Sequence, residues 1–131
     1  MNQIIEFFNK AKMFFIATVD ENNHPRVRPF GGLLEYEGKL YFNTNYTKKI
    51  YTQLMSNPKV ELCAFSEGKW MRVEAHAIRE INPEIKDSML ESQPNVAKMY
   101  KGKEDIFEIF GMEKVTAVLH SFGKEELIYK D

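Results

Sequence analysis

The short spacing between strand-forming segments restricts this chain more than any other feature. Met13 to Val19 and Arg26 to Phe30 are separated by Asp20-Glu21-Asn22-Asn23-His24-Pro25, which is turn chemistry. Leu33 to Tyr36 meets Lys39 to Thr44 across Glu37-Gly38, and Lys59 to Ser66 meets Lys69 to Arg79 across Glu67-Gly68. Parallel neighbours need a crossover of about a dozen residues or more, and these connections are far too short for one. The chain is therefore mainly β, an antiparallel barrel with short helices added to it.

Each segment carries its own signal. Asn2 to Lys12 places Ile4, Ile5, Phe8 and Ala11 on one side of a helix. Met13 to Val19 is a continuous apolar run and predicts a strand buried on both faces. In Arg26 to Phe30, alternation puts Arg26, Arg28 and Phe30 on one side and Val27 and Pro29 on the other. Pro29 lacks a ladder donor and marks an edge strand or a bulge. Gly31-Gly32 allows a bend or a close approach. Lys69 to Arg79 alternates over its whole length. Met71, Val73, Ala75 and Ala77 belong to the core, and Trp70, Arg72, Glu74 and His76 face solvent, a second subunit or a ligand. Asn82-Pro83 starts a helix with an Asn cap, and a second short helix spans Pro94 to Tyr100. Ile106 to Phe110 and Val115 to Phe122 predict two strands with a turn near Gly111 and Glu113-Lys114. Glu125 to Tyr129 is either an edge strand or a tail.

The stretch Lys39 to Met55, KLYFNTNYTKKIYTQLM, carries the chemistry. Leu40, Phe42 and Thr44 share one face of a strand, with Tyr41 and Asn43 on the other. A polar corner follows, with Thr47 placed to cap a helix whose apolar pairs are Ile50/Leu54 and Tyr51/Met55. Lys48 and Lys49 lie in the first helical turn, where the macrodipole is already positive. The corner is either an anion site, suited to a phosphate, or a solvated turn with two exposed lysines.

Composition narrows the function classes. Lys and Arg number 18 against 19 Asp and Glu, without the basic excess of a nucleic-acid or membrane-surface binder. No apolar run approaches the roughly 20 residues of a membrane span, and Met1 to Lys12 is too polar for a signal peptide. The single cysteine, Cys63, fits a reducing cytoplasm and reads as core packing. His24 sits at a turn, and His76 has no partner at metal-ligand spacing, so no metal site is expected. The chain holds 10 Phe, 6 Tyr, 7 Met and 1 Trp, more than a small barrel can enclose. A homodimer that buries the surplus is the simplest arrangement.

Three segments in order, Phe14 to Gly32, Leu40 to Phe65 and Trp70 to Ala77, resemble the pyridoxamine 5′-phosphate oxidase-like FMN-binding split barrels. Ile106 to Gly123 is similar to the last hairpin of the small stand-alone members. The resemblance implies one FMN-binding domain over residues 1–131, an antiparallel split β-barrel with short flanking helices. It also implies FMN held at a homodimer interface, and electron transfer with a small-molecule donor and acceptor. By position, Val27, Arg28 and Pro29 would meet the flavin ring, and Phe42, Asn43, Thr44 and Asn45 the ribityl-phosphate path. Lys48 and Lys49 would hold the phosphate, and Trp70 and Met71 would approach the flavin. No catalytic acid or base is implied. Where members often have Ser-Arg-Lys this chain has Thr47-Lys48-Lys49, which keeps charge and loses an arginine fork. The Trp- and Arg-containing segment with which full-length oxidases hold pyridoxal phosphate has no counterpart here, so vitamin B6 oxidation is not implied. Two alternatives remain at this stage: a non-catalytic flavin- or heme-binding protein concerned with storage, sensing or stress, and the same barrel without a cofactor.

Overall fold

The computed structural model describes residues 1–131. Its elements are α1 (Asn2–Ala11), β1 (Phe14–Val19), β2 (Pro25–Phe30), β3 (Leu34–Tyr36), β4 (Lys39–Asn45), α2 (Lys49–Ser56), β5 (Lys59–Ser66), β6 (Lys69–Glu80), α3 (Pro83–Ser92), α4 (Pro94–Met99), β7 (Phe107–Ser121) and β8 (Lys124–Lys130). Every strand pairing is antiparallel, in the order β2-β1-β5-β6-β7-β4-β3, with β8 on the distal half of β7.

β6 and β7 form the spine. The alternation read in β6 holds: Met71, Val73, Ala75 and Ala77 are buried, whereas Arg72 and Glu74 are exposed. The two strands expected at Ile106 to Phe110 and Val115 to Phe122 are instead one, β7. A left-handed Lys114 and a register shift opposite Glu74 and His76 bend this long strand without breaking it, as a bulge does. Gly111 lies within the strand, where its missing side chain leaves room for the Tyr41 ring. The bend lets one half of β7 pair with β4 and the other half with β8.

The sheet curls round a core that includes Phe14, Ile16, Leu40, Phe42, Leu62, Val73 and Phe110. Ile4 and Phe8 of α1, and Ile50 and Leu54 of α2, add their apolar faces to it. A second cluster covers the opposite face of β4 and β7, where Ile85 and Met89 of α3 and Tyr100 pack on Tyr41, Phe107 and Ile109. β4 is therefore buried on both sides. β1 is not: Phe14, Ile16 and Thr18 point inward, and Phe15 stands 45% exposed on the outer face. The expectation of a doubly buried β1 fails because no helix covers that part of the sheet. Cys63 shares this outer face, opposite Phe15 and Arg72, and is not in the core. Burial among these neighbours still pushes its thiol pKa up.

No ladder joins β2 to β3 or β4, so the barrel has an open seam. Side chains close it. Phe30 of β2 meets Phe42 of β4 edge-on at 5.8 Å, and Phe42 stacks on Phe110 at 5.8 Å. Burying Phe42 completely contributes on the order of 2–3 kcal/mol to holding the two edges together. Gly32 lies where any Cβ would meet the Gln93 side chain, so the expected close approach is to the α3–α4 link.

Candidate functional site

The seam opens on its outer side into a groove of about 770 Å³ between β2 and the start of α2. It is lined by Val27, Arg28, Pro29, Lys48, Lys49 and Gln53, among others. A smaller hollow of about 170 Å³ continues from it past Pro29, Phe30 and Lys48 to Asn43, Thr44 and Tyr100. The fold thus gathers Val27, Arg28, Pro29, Asn43, Thr44, Lys48 and Lys49 around two adjoining concavities that share Pro29, Phe30 and Lys48.

β2 is the edge strand that Pro29 foretold, with β1 as its single neighbour. Arg28 lies opposite Ile16 and points inward beneath α2. Its Nη1 donates to the Ile16 carbonyl at 3.3 Å and to Thr18 Oγ1 at 2.8 Å, and its Nη2 donates to Gln53 Oε1 at 2.8 Å. All three acceptors are neutral. Arg26, by contrast, is paired with Asp20 at 2.9 Å. Burial without a carboxylate pulls the Arg28 guanidinium below its usual pKa, the response of a desolvated cation lacking a counter-ion.

The polar corner is built by Asn45. Its Oδ1 accepts from the Thr47 backbone N–H and hydroxyl, and its Nδ2 donates to Tyr100 Oη at 2.7 Å. These bonds commit the Asn45 side chain to shaping the turn. They also occupy Thr47, so the helix begins one residue later than expected, with extended Lys48 at the N-cap and no side chain capping α2. In the first turn of α2 the Tyr51 N–H donates to the Lys48 carbonyl at 3.1 Å, and the Lys49 and Ile50 N–H groups, like those at any helix start, have no intrahelical acceptor. Lys48 and Lys49 are exposed beside them, and neither forms an ion pair. Thr44 is 3% exposed, and its hydroxyl has no hydrogen-bond partner. A buried hydroxyl left unpaired costs about 1–3 kcal/mol and marks a position where an outside partner would be stabilising.

Four residues implied by the resemblance line neither concavity, and Asn45, committed to the turn, is one of them. Phe42 and Met71 have their side chains in the core, so only their backbones can meet a ligand. Trp70 stands on the outer face of β6, stacked on His120 at 5.4 Å, outside both concavities. Two residues with no assigned role proved central, Gln53 and Thr18. Gln53 is 7% exposed, on the same buried side of α2 as Ile50 and Leu54. A glutamine on the apolar stripe of a short helix was the available signal.

A model of the pyridoxamine 5′-phosphate oxidase family matches residues 1–113. The chain belongs to the pyridoxamine 5′-phosphate oxidase-like family. Among solved structures, a NimC/NimA family protein from Clostridium acetobutylicum is 35% identical, with a TM-score of 0.88 over 98% of this chain and 93% of that one. A pyridoxamine 5′-phosphate oxidase-related, FMN-binding protein from Nostoc punctiforme is 14% identical, with a TM-score of 0.72 over 98% and 96%. The heme storage protein HutZ from Vibrio cholerae is 17% identical, with a TM-score of 0.67 over 86% and 87%. The last two likenesses concern the fold. No curated protein matches the chain in sequence. No helix is long and apolar enough to cross a membrane.

Proposed function

We propose that this member of the pyridoxamine 5′-phosphate oxidase-like family binds FMN in the seam groove and acts as a small oxidoreductase. The observation that carries the reading is a part-buried arginine with no carboxylate, facing the same groove as two free lysines at an uncapped helix N-terminus. Such a groove suits a ligand with a dianionic phosphate at one end and hydrogen-bond acceptors at the other. Lys48, Lys49 and the start of α2 hold the phosphate. Asn43 and Thr44 line the connecting path, where the Thr44 hydroxyl gains its missing partner. Arg28 and Gln53 direct donors at the ring, with Val27 and Pro29 presenting backbone along the edge strand. Bound FMN supplies two-electron transfer between a small-molecule donor and acceptor; the chain's own residues bind, orient and shield it.

The exposed apolar side chains of the outer face, Phe15, Phe65 and Val27, support a homodimer that covers the groove from the open side. In that arrangement Trp70 contributes from a second copy. Heme is the second candidate ligand, because a heme storage protein shares the fold. None of the three histidines lines the groove, which favours flavin. The test is an absorbance spectrum before and after adding FMN and removing the excess. A retained flavin band is expected; a featureless spectrum, or a heme Soret band from a cell-purified sample, rejects the reading.

A further inference from the structure

We infer that Thr18, a buried residue of β1 that does not line the groove, is a positioning residue that decides which atoms of Arg28 and Gln53 face the groove. The inference rests on the FMN reading above.

The argument is one of donors and acceptors. A guanidinium has only donors, so the carboxamide of Gln53 must turn its oxygen toward Arg28 Nη2, 2.8 Å away. The Thr18 hydroxyl accepts from Arg28 Nη1 at 2.8 Å and gives its single proton to the same Gln53 oxygen at 2.6 Å. Gln53 Oε1 thus receives two donors, and its Nε2 is left without a protein partner on a residue that lines the groove. Both Nη1 protons of Arg28 are spent, on the Ile16 carbonyl and on Thr18. What remains for a ligand is the Nε proton and one Nη2 proton of Arg28, with the amide protons of Gln53. The Arg28 and Gln53 side chains thus offer the groove donors and no acceptor, while the carboxylates of Asp20 and Glu21 belong to another part of its lining.

Thr18 is 2% exposed, and its hydroxyl is the one group that bonds both Arg28 and Gln53 from the β1 side. Without the hydroxyl, Gln53 keeps one restraint in place of two, and Arg28 keeps the Ile16 carbonyl alone for Nη1. This donor-only pair selects a ligand edge made of carbonyl oxygens and unprotonated ring nitrogen. It also stabilises the negative charge that such an edge gains on reduction. A buried hydroxyl therefore adjusts both affinity and potential from behind the site.

The experiment compares FMN affinity, by quenching of flavin fluorescence, and the midpoint potential of the bound flavin in wild type, Thr18→Val and Thr18→Ser. Thr18→Val keeps shape and removes the hydroxyl; it should weaken FMN binding about tenfold and make the potential more negative. Thr18→Ser restores the hydroxyl and should stay within about twofold of wild type in affinity, with the wild-type potential. A Thr18→Val protein that folds and keeps both values overturns the assignment while leaving FMN binding intact. A fall in melting temperature with an unmoved potential likewise assigns Thr18 a purely structural role. If Thr18→Val does not fold, Thr18→Cys takes its place, since a thiol fills the space and bonds poorly. Failure of both to fold rejects positioning in favour of structure. A wild-type chain that takes up no FMN rejects the underlying reading, and this inference with it.

Discussion

Arg28→Met should separate the site from the scaffold. The native guanidinium is anchored by three hydrogen bonds to neutral acceptors, while burial works against its charge and no carboxylate offsets that penalty. A hydrogen bond in an apolar surrounding is worth about 4–6 kcal/mol before desolvation is counted, and the removal of a cation and its partners from water takes back most of that sum. The two nearly cancel, because Arg28 is only partly buried. Met fills a similar volume without charge and leaves Thr18 and Gln53 bonded to each other. The apo protein should therefore change in stability by less than about 1 kcal/mol, read from urea unfolding. FMN binding should weaken by about 2 kcal/mol, roughly thirtyfold in Kd, because a charge-assisted contact to the ligand is lost. A loss of more than about 3 kcal/mol in apo stability would show that the arginine is a keystone of the seam. Unchanged FMN affinity would remove it from the binding site.

Further predictions concern charge. The double variant Lys48→Ala/Lys49→Ala should weaken FMN binding by about 1–3 kcal/mol per lost phosphate contact, with a reduced salt dependence; equal affinity at low and high salt for both proteins would reject the phosphate corner. Arg79 pairs with Glu108 at 2.6 Å, and the two side chains are 40% and 8% exposed. Arg79→Met strands a buried carboxylate and should cost about 2–3 kcal/mol in urea unfolding, toward the low side of buried pairs because solvent reaches the arginine; a loss below about 1 kcal/mol contradicts this. The Asp20 carboxyl is held below its ordinary pKa of 3.8 chiefly by the His24 backbone N–H, aided by Arg26 and Asn22. A lowered carboxyl pKa stabilises the fold above the unfolded value, and the benefit disappears as pH falls through the folded one. Asp20→Asn should thus melt below wild type at neutral pH, with the gap closing in acid below about pH 4; a constant gap refutes the linkage.

Local periodicity carried much of the fold. The strict alternation of β6, the hairpins at Glu37-Gly38 and Glu67-Gly68, the Asn82 cap and the edge position of β2 are all written in neighbouring residues. Where that reading failed, the deciding partner lay far along the chain. The β7 bulge depends on β6, and the burial of one face of β1 depends on which helices reach it. Thr47 lost the N-cap because Asn45, fixed by Tyr100, claimed its hydrogen bonds first.

The candidate site divides the same way. Lys48 and Lys49 at a helix start, and Arg28 on an edge strand, were legible because side-chain type, period and dipole act over a few residues. Gln53, Thr18 and the unpaired Thr44 hydroxyl were not, since their significance lies in donors and acceptors brought together from β1, β2, β4 and α2. The amino-acid sequence alone determined the antiparallel barrel, the amphipathic faces and the cationic corner, all consequences of local chain geometry and residue chemistry. The tertiary structure decided which cation is left without a counter-charge and which hydroxyl without a partner, because burial and pairing are properties of the assembled neighbourhood rather than of any segment within it.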